Sequence, residues 1–521
     1  MRRESLTLSL FALVALASPI AAQPTTPQPA GPAAGPPAKS LMPAPVPPPA
    51  AKVDAAFAKS GITDWTKPPA PTKEPVFKAP TVKRLKLKNG MALLVVANKA
   101  LPIVSMTLVV PGAGSSGDPA GKGGLAAFTA DLLDEGAGEL SPIAIAQELD
   151  RLGASMSAGV DVDTAQVSLS TLTKTLEPSL ELLAKVVTQP GFDAKEAERV
   201  KGDRVITLEQ RRDRPREVAA VMLNAALYGL GSAYGHPGSG VREEFKNLGV
   251  ADAKAFYTER WNPAGMTLVV AGDVEPAKLK AKLDAGLGAW KPTGAKRAPK
   301  IVTTPAKPGS RLLLVDRAAA AQSDVRIGLV GPARKDRRYF QFEVLRTVLG
   351  DGFTSRLTQR LREQLGITYN ASAAMDWRRA PGPFVIASAI VTPETARGLS
   401  EIIKLVDDLA TTDVPAEELE KAKQNMIRAL PSHFDTNSST VDAFVELVRH
   451  GLPDNWYTSY ASSVRKVTAK DVKSVARTVA PSKRLVFAVV GDMTKVRADL
   501  DKLGLGEPAL HDLYGMPLKR Q

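Results

Sequence analysis

A chain of 521 residues with 44% hydrophobic side chains has room for roughly two to four domains with cores of their own. It has no cysteine and only four histidines, His236, His433, His450 and His511, none close to another in sequence, which excludes disulfides, Cys-ligated zinc, thiol catalysis and a local His-pair metal motif. The net charge is +14, yet Lys and Arg alternate with Asp and Glu throughout and no basic run interleaves with aromatics, so a nucleic-acid interface is not expected.

From the N-terminus, Arg2 and Arg3 lead into the apolar run Leu6–Leu16, and Ala21 and Ala22 precede Gln23. A basic start, an apolar run too short for a mature span and a small-residue end read as a cleaved export signal over residues 1–22. The expected destination is the periplasm of a Gram-negative cell. Residues 23–78 are rich in Pro and Ala, as in Pro43–Pro49 (PAPVPPP). Proline removes backbone donors and favours extended chain, so this stretch reads as a tether. No later segment has the length of a membrane span, so no integral membrane segment is expected after signal cleavage.

The folded body begins with strand-like Val82–Ala97 and Ile103–Val110, followed by helix-like Gly124–Glu135 and Pro142–Leu152. Strand-like Ser155–Leu172 then leads into helix-like Leu176–Gln189 and Ala194–Arg212. Further on, Met266–Asp273 (MTLVVAGD) resembles Arg484–Asp492 (RLVFAVVGD). Each follows a helical segment and a proline, and each precedes a helical stretch closing on Gly-Leu-Gly. Val104–Pro111 and Ser323–Pro332 match at nearly the same offset, so the body repeats after about 220 residues, an ordinary domain size. The halves are assigned to residues 79–298 and 299–521, linked through the Lys- and Pro-rich stretch from Lys291 to Gly309. Hairpin-like strands with helices grouped between them predict an α+β fold of two homologous halves, each a mainly antiparallel sheet with helices packed on one side, together forming a clam-like body.

The repeat, the element order and several local strings resemble the pitrilysin, insulinase and mitochondrial-processing-peptidase family of inverted-motif zinc peptidases. The family's metal helix reads GLAHFLEHMLFKG; here Gly124–Gly136 reads GLAAFTADLLDEG. Gly124, Leu125, Ala126, Phe128, Leu133 and Gly136 fix the register. The two His positions then hold Ala127 and Asp131, and the Glu position holds Ala130. In an active enzyme, imidazoles four residues apart share a helix face and grip one zinc, and the carboxylate between them serves as general base. Ala127 and Ala130 offer neither lone pair nor base. Counting back from Pro215 puts the family's third ligand position at Thr207, with Glu209 two residues on. The resemblance therefore implies a degenerate metal site at Ala127, Ala130, Asp131 and Thr207, with no zinc bound by this chain. A site of unusual ligands would need Asp131, Glu209 and a distant histidine to converge.

The second half keeps what the first lacks. Gly350–Tyr369 (GDGFTSRLTQRLREQLGITY) resembles the family string in which an Arg and a Tyr seven residues apart contact substrate near the scissile carbonyl. Arg362 and Tyr369 have that spacing, and a guanidinium and a phenol can both donate to a developing oxyanion. Arg356 and Arg360 read as plainer charges. Leu152–Asp163 (LGASMSAGVDVD) resembles the edge strand that pairs with the substrate backbone, with Ser157 and Ala158 at its centre. His236, in Gly-His-Pro, fits a structural turn of the family and is not assigned to metal. The resemblance implies a non-catalytic subunit that binds peptide and completes, through Arg362 and Tyr369, the site of a homologous catalytic partner whose intact motif holds the zinc. The alternative is a peptide-binding or scaffold protein of the cell envelope with no peptidase activity.

Overall fold

The computed structural model describes residues 77–291, 301, 309–479 and 481–518, within one unit spanning Val76–Gln521. The expected signal peptide, nearly all of the tether and most of the link between the halves lie outside the described residues.

The first half forms β1 (Lys83–Lys86), β2 (Ala92–Ala97), β3 (Ile103–Pro111), β4 (Ser155–Val160), β5 (Thr164–Leu172) and β6 (Thr267–Gly272). The second forms β7 (Leu312–Asp316), β8 (Gln322–Val330), β9 (Thr368–Met375), β10 (Pro383–Val391), β11 (Val486–Gly491) and β12 (Ala509–Leu510). They build two six-stranded sheets in the orders β1-β2-β6-β3-β5-β4 and β12-β7-β11-β8-β10-β9. Five strands agree in order, β2-β6-β3-β5-β4 with β7-β11-β8-β10-β9, so the sequence repeat is a structural one; the outer strands differ, β1 opening its half and β12 closing its own. Only β2–β6, β7–β11 and β7–β12 pair in parallel; the other seams are antiparallel.

Two strand-like stretches resolve into hairpins. Val82–Ala97 becomes β1 and β2. Ser155–Leu172 turns between β4 and β5, where Asp161 Oδ1 accepts the backbone N–H groups of Asp163 and Thr164, both at 2.7 Å. A short carboxylate bonding two and three residues ahead is what makes this turn local. The repeated Gly-Asp also has a physical cause. A Cβ on Gly272 would collide with the Ile103 carbonyl oxygen, and one on Gly491 with the Ser323 hydroxyl. The neighbouring strand passes too closely for any side chain.

The helices of the first half include α1 (Leu125–Asp131), α2 (Pro142–Leu152), α3 (Leu176–Thr188), α4 (Ala194–Glu209), α5 (Pro215–Tyr228) and α6 (Val250–Arg260). Those of the second include α7 (Tyr339–Gly350), α8 (Thr395–Thr411), α9 (Ala416–Ala429), α10 (Asn437–His450) and α11 (Ala469–Val479). Most helices of each half bury an apolar stripe on one face of their own sheet, such as Leu93, Val95, Met106 and Leu108 in the first and Leu314, Ile327, Phe384 and Val489 in the second.

The opposite faces show an exchange that a helices-on-one-side reading does not contain. From α5, Val218, Ala219, Met222 and Leu223 pack on Leu313, Val315, Val486 and Ala488 of the second sheet. From α10, Val441, Phe444 and Leu447 pack on Leu94, Val96, Val109 and Val269 of the first. Each half therefore supplies one helix to the other's sheet. Local signals delimit both helices. Proline opens α5 at its first position and Gly229, at φ 81°, ends it. Thr436 caps α10, its hydroxyl accepting from Ser439 N at 3.0 Å, and Gly451 ends it at φ 59°.

Candidate functional site

The helix that carries the lost ligand positions is firmly held. Gly124 precedes α1 at φ 96°, and a Cβ there would stand 2.8 Å from Gly240 Cα and 2.9 Å from the Phe245 ring. Asp118, fully buried, accepts the N–H groups of Gly124 and Ala126 at 2.7 Å each, satisfying donors that a helix start leaves free. His236 completes this cap. Its Nδ1 lies 2.9 Å from the Ser232 carbonyl, and its Nε2 lies 3.0 Å from the Ser115 carbonyl and 3.3 Å from Asp118 Oδ2. Both ring nitrogens face acceptors, an arrangement that suits the imidazolium. Burial opposes that charge, but Asp118 and the two carbonyls outweigh it and raise the His236 pKa. His236 is structural, as the sequence indicates.

Ala127 and Ala130 are 5% and 1% exposed and present only methyl groups. Asp131, at the end of α1, meets Arg204 of α4, whose Nε donates to Asp131 Oδ2 at 2.7 Å while a second guanidinium nitrogen bonds the same oxygen. The Arg204 guanidinium also lies 5.9 Å from the Phe245 ring centre. Four residues on, past the end of α1, Glu135 pairs with Arg199 of α4. Burial pushes the Asp131 carboxyl up and Arg204 pulls it back, leaving its pKa above the ordinary value. Thr207 is exposed and its hydroxyl turns back to the Asp203 carbonyl at 3.1 Å. Glu209 lies 3.8 Å from Lys246.

These residues do not fit a zinc ion. Two positions have no donor atom, the one carboxylate is held by a guanidinium, and among the described residues no group of three His, Cys, Asp or Glu side chains could hold a metal. Asp131, Glu209 and a histidine do not converge: His236 is committed to the α1 cap, and His450 bonds Glu446 at 3.2 Å. Arg204 was not among the sequence candidates. The signal that points to it is the acidic side chain on an otherwise buried helix, which requires a partner, and Arg204 sits one helical turn before Thr207.

The Arg/Tyr string divides by role. Arg356 is bound by Glu418 at 2.8 Å and Asp408 at 2.6 Å, and Arg360 by Glu401 at 2.7 Å, so both hold helices together. Arg362 has only its exposed neighbour Glu363 at 3.3 Å and instead stacks on aromatics, 4.6 Å from the Tyr369 ring centre and 5.0 Å from that of Phe353. It sits on a π-helical turn, Thr358–Gln364, a form that recurs at functional sites. Tyr369 is 78% exposed on the edge strand β9. The β9–β10 register shifts between Ser388 and Ile390, so Tyr369 and Asn370 share one partner position and the phenol turns outward. The structure thus brings Arg362 and Tyr369 together, with the exposed Phe353 beside them.

Ser157 and Ala158 lie on β4, the outer strand of the first sheet, paired with Ser168 and Val167 of β5 and, among the described residues, with no strand on the other side. β4 packs next to α1. A free backbone edge therefore runs beside the degenerate helix. The Arg362–Tyr369 pair stands at the free edge of the other sheet.

Two homologous halves with a free edge beside a short helix of vanished metal ligands define a peptidase fold without its metal centre. Two family models match: Insulinase (Peptidase family M16) over residues 93–236 and Peptidase M16 inactive domain over residues 247–426, together more than half of the chain. The chain belongs to the M16 family. An uncharacterised zinc protease of Mycobacterium tuberculosis is 27% identical over 416 residues, 78% of this chain and 93% of the relative. A non-peptidase homologue of Helicobacter pylori, YmxG, is 22% identical over 404 residues, 76% of this chain and 91% of the relative. A crystal structure from Pseudomonas fluorescens, described as a peptidase M16 inactive domain, superposes with a TM-score of 0.72 at 25% identity, covering 79% of this chain and 98% of that one.

Proposed function

We propose that this M16 protein is the non-catalytic subunit of a two-chain zinc peptidase. It binds peptide and lends Arg362 and Tyr369 to the active site of a homologous, zinc-bearing partner. The observation that carries this reading is the contrast between its halves. In the first, the ligand helix is closed by the Asp131–Arg204 pair. In the second, the half-buried Arg362 stacks on the exposed Tyr369, and among the described residues its one carboxylate partner is the adjacent Glu363.

The free edge of β4 offers backbone donors and acceptors to an extended peptide, the mode in which main-chain groups matter more than side chains and Ser157 and Ala158 need supply no chemistry. In the assembled pair, the partner's zinc would supply the activated water, and this chain's guanidinium and phenol would donate to the carbonyl oxygen as it gains charge. Export to the periplasm is part of the same proposal, supported by the residue pattern of positions 1–22.

The test is to mix the purified chain with the metal-bearing homologue encoded in the same genome and to measure peptide cleavage. Arg362→Ala and Tyr369→Phe should each lower kcat of the mixture by about tenfold or more, the cost of a lost donor to a developing oxyanion. An unchanged rate with both variants rejects the role. Peptide binding without any cleavage in the mixture would leave the scaffold reading.

A further inference from the structure

The second sheet has a charged hollow on the face that receives α5. That helix lies across β11 and β8, and its cluster takes in Leu313, Val315, Ala488 and Val490 and reaches Val385 at one end of β10; the other end of β10 and the facing part of β9 are left open. Beyond it, Arg326 of β8 stands between Ala488 of β11 and Ala387 of β10, and Asp324 stands between Val490 and Ala389. Directly opposed residues in a sheet point to the same face. Ala387 and Ala389 are too short to fill the space between β8 and β9. A cavity of about 240 Å³ results, rimmed by Arg216 from the first turn of α5 and by Tyr369.

Three charged groups converge here, and among the described residues none has a side-chain hydrogen bond or an ion pair. Burial and the nearby Arg216 guanidinium lower the Arg326 pKa by more than Asp324 raises it. Burial also raises the Asp324 pKa, against the pull of Arg326, Arg216 and Arg317, so positive charge is in excess at the hollow. The repeat shows that packing does not demand this. At the equivalent place on the first sheet, Ser105 and Thr107 of β3 face Ser168 and Ser170 of β5, and Thr107 and Ser168 satisfy each other at 2.9 Å. Ser438 of α10 stands where Arg216 stands in α5. The sheet positions there need only hydroxyls, and the one charged residue lining that hollow is Asp442 of α10, an acid; the hollow next to Tyr369 is the one that gathers guanidinium groups.

We propose that this hollow is a carboxylate subsite: Arg216 and Arg326 take one acidic side chain, or the C-terminal carboxylate, of a peptide whose backbone passes Tyr369. The cavity is below the usual size of a whole-ligand pocket and suits one residue or terminus. A planar guanidinium matches a carboxylate through paired N–H donors. Asp324 offsets part of the positive charge, which favours a single carboxylate over more anionic groups. The proposal deepens the peptide-binding reading above and rests on it.

The experiment measures binding to the full chain by fluorescence anisotropy with four labelled versions of one peptide: neutral with an amidated terminus, with an internal Glu, with a free C-terminus, and with both. Saturation-transfer NMR with N-acetylglutamate α-amide, whose side-chain carboxylate is free, and with N-acetylalanine runs in parallel. Arg326→Gln and Arg216→Gln should each weaken the preferred carboxylate peptide by about tenfold or more and leave the neutral one unchanged, the loss expected for one charge-assisted hydrogen bond. Asp324→Asn should tighten it, an opposite sign that a folding defect does not mimic. The Glu and free-terminus arms identify the source of the carboxylate. Peptides that bind the wild type without a carboxylate preference, or a preference that survives both arginine variants, overturn the subsite and leave peptide binding standing. Small carboxylates that bind through Arg326 while no peptide binds leave the subsite and overturn the peptide reading. No binding in either assay overturns both.

Discussion

At the residue scale, the decisive substitution is the guanidinium that occupies the crevice between α1 and α4. Asp131 and Arg204 are about a quarter exposed, with side-chain accessibilities of 29% and 21%. Solvent therefore screens the pair, but its removal strands a carboxylate that burial already disfavours as an anion. Arg204→Ala should cost about 1–2 kcal/mol, between the values for surface and buried pairs. The double variant with Asp131→Ala should recover part of that loss. Urea unfolding of both variants measures the coupling, and strictly additive losses would show that the contact carries no energy.

His236 has the opposite sign of pH dependence from a paired carboxylate. Its folded-state pKa is raised, so its contribution is fully present below about pH 6.5, where a free imidazole titrates, and is lost as the pH rises through the higher folded value. Unfolding free energy should fall across that window in the wild type. In His236→Gln the fall should vanish, and a fall of equal size there would assign the dependence to another group. Ala127, Ala130 and Asp131 follow from the register that the Gly124–Gly136 string fixes, and Thr207 from counting back from Pro215. Arg204 was not, because a salt bridge between helices more than seventy residues apart leaves no periodic mark in either one.

At the element scale, strands and helices were legible where apolar periodicity and breakers agree. Pro142–Leu152 is a helix over the bounds that its pattern gives, capped by Ser141. Ser155–Leu172 reads as one strand because both arms of the hairpin are alternating, and only the Asp161 bonds reveal the turn. The exchange of α5 and α10 was not legible at all. An apolar stripe states that a helix buries one face; it does not state whose sheet receives it. That exchange gives a sharp expectation. Met222 is fully buried in the α5 contact with the second sheet, so Met222→Ala should cost about 2–5 kcal/mol through lost burial and a cavity. The loss should appear in a single cooperative urea transition of both halves. Two separate transitions in the wild type would contradict the interlocking.

At the scale of the whole molecule, the two halves share the order of five strands and differ in their chemistry. The first presents an outer strand beside a helix with Ala127, Ala130 and the Arg204-bound Asp131. The second presents an arginine stacked on a tyrosine, next to a cationic hollow. In the proposed function the first is the holding half and the second the donating half, and the partner supplies the metal-activated water. This division is why the chain reads as one part of a working pair. The most direct measurement is zinc content and peptide cleavage of the purified chain, alone and mixed with its metal-bearing homologue. Alone, the chain should hold no stoichiometric zinc and cleave nothing; in the mixture, cleavage should appear and depend on Arg362. Stoichiometric zinc with cleavage by the chain alone would contradict the assignment.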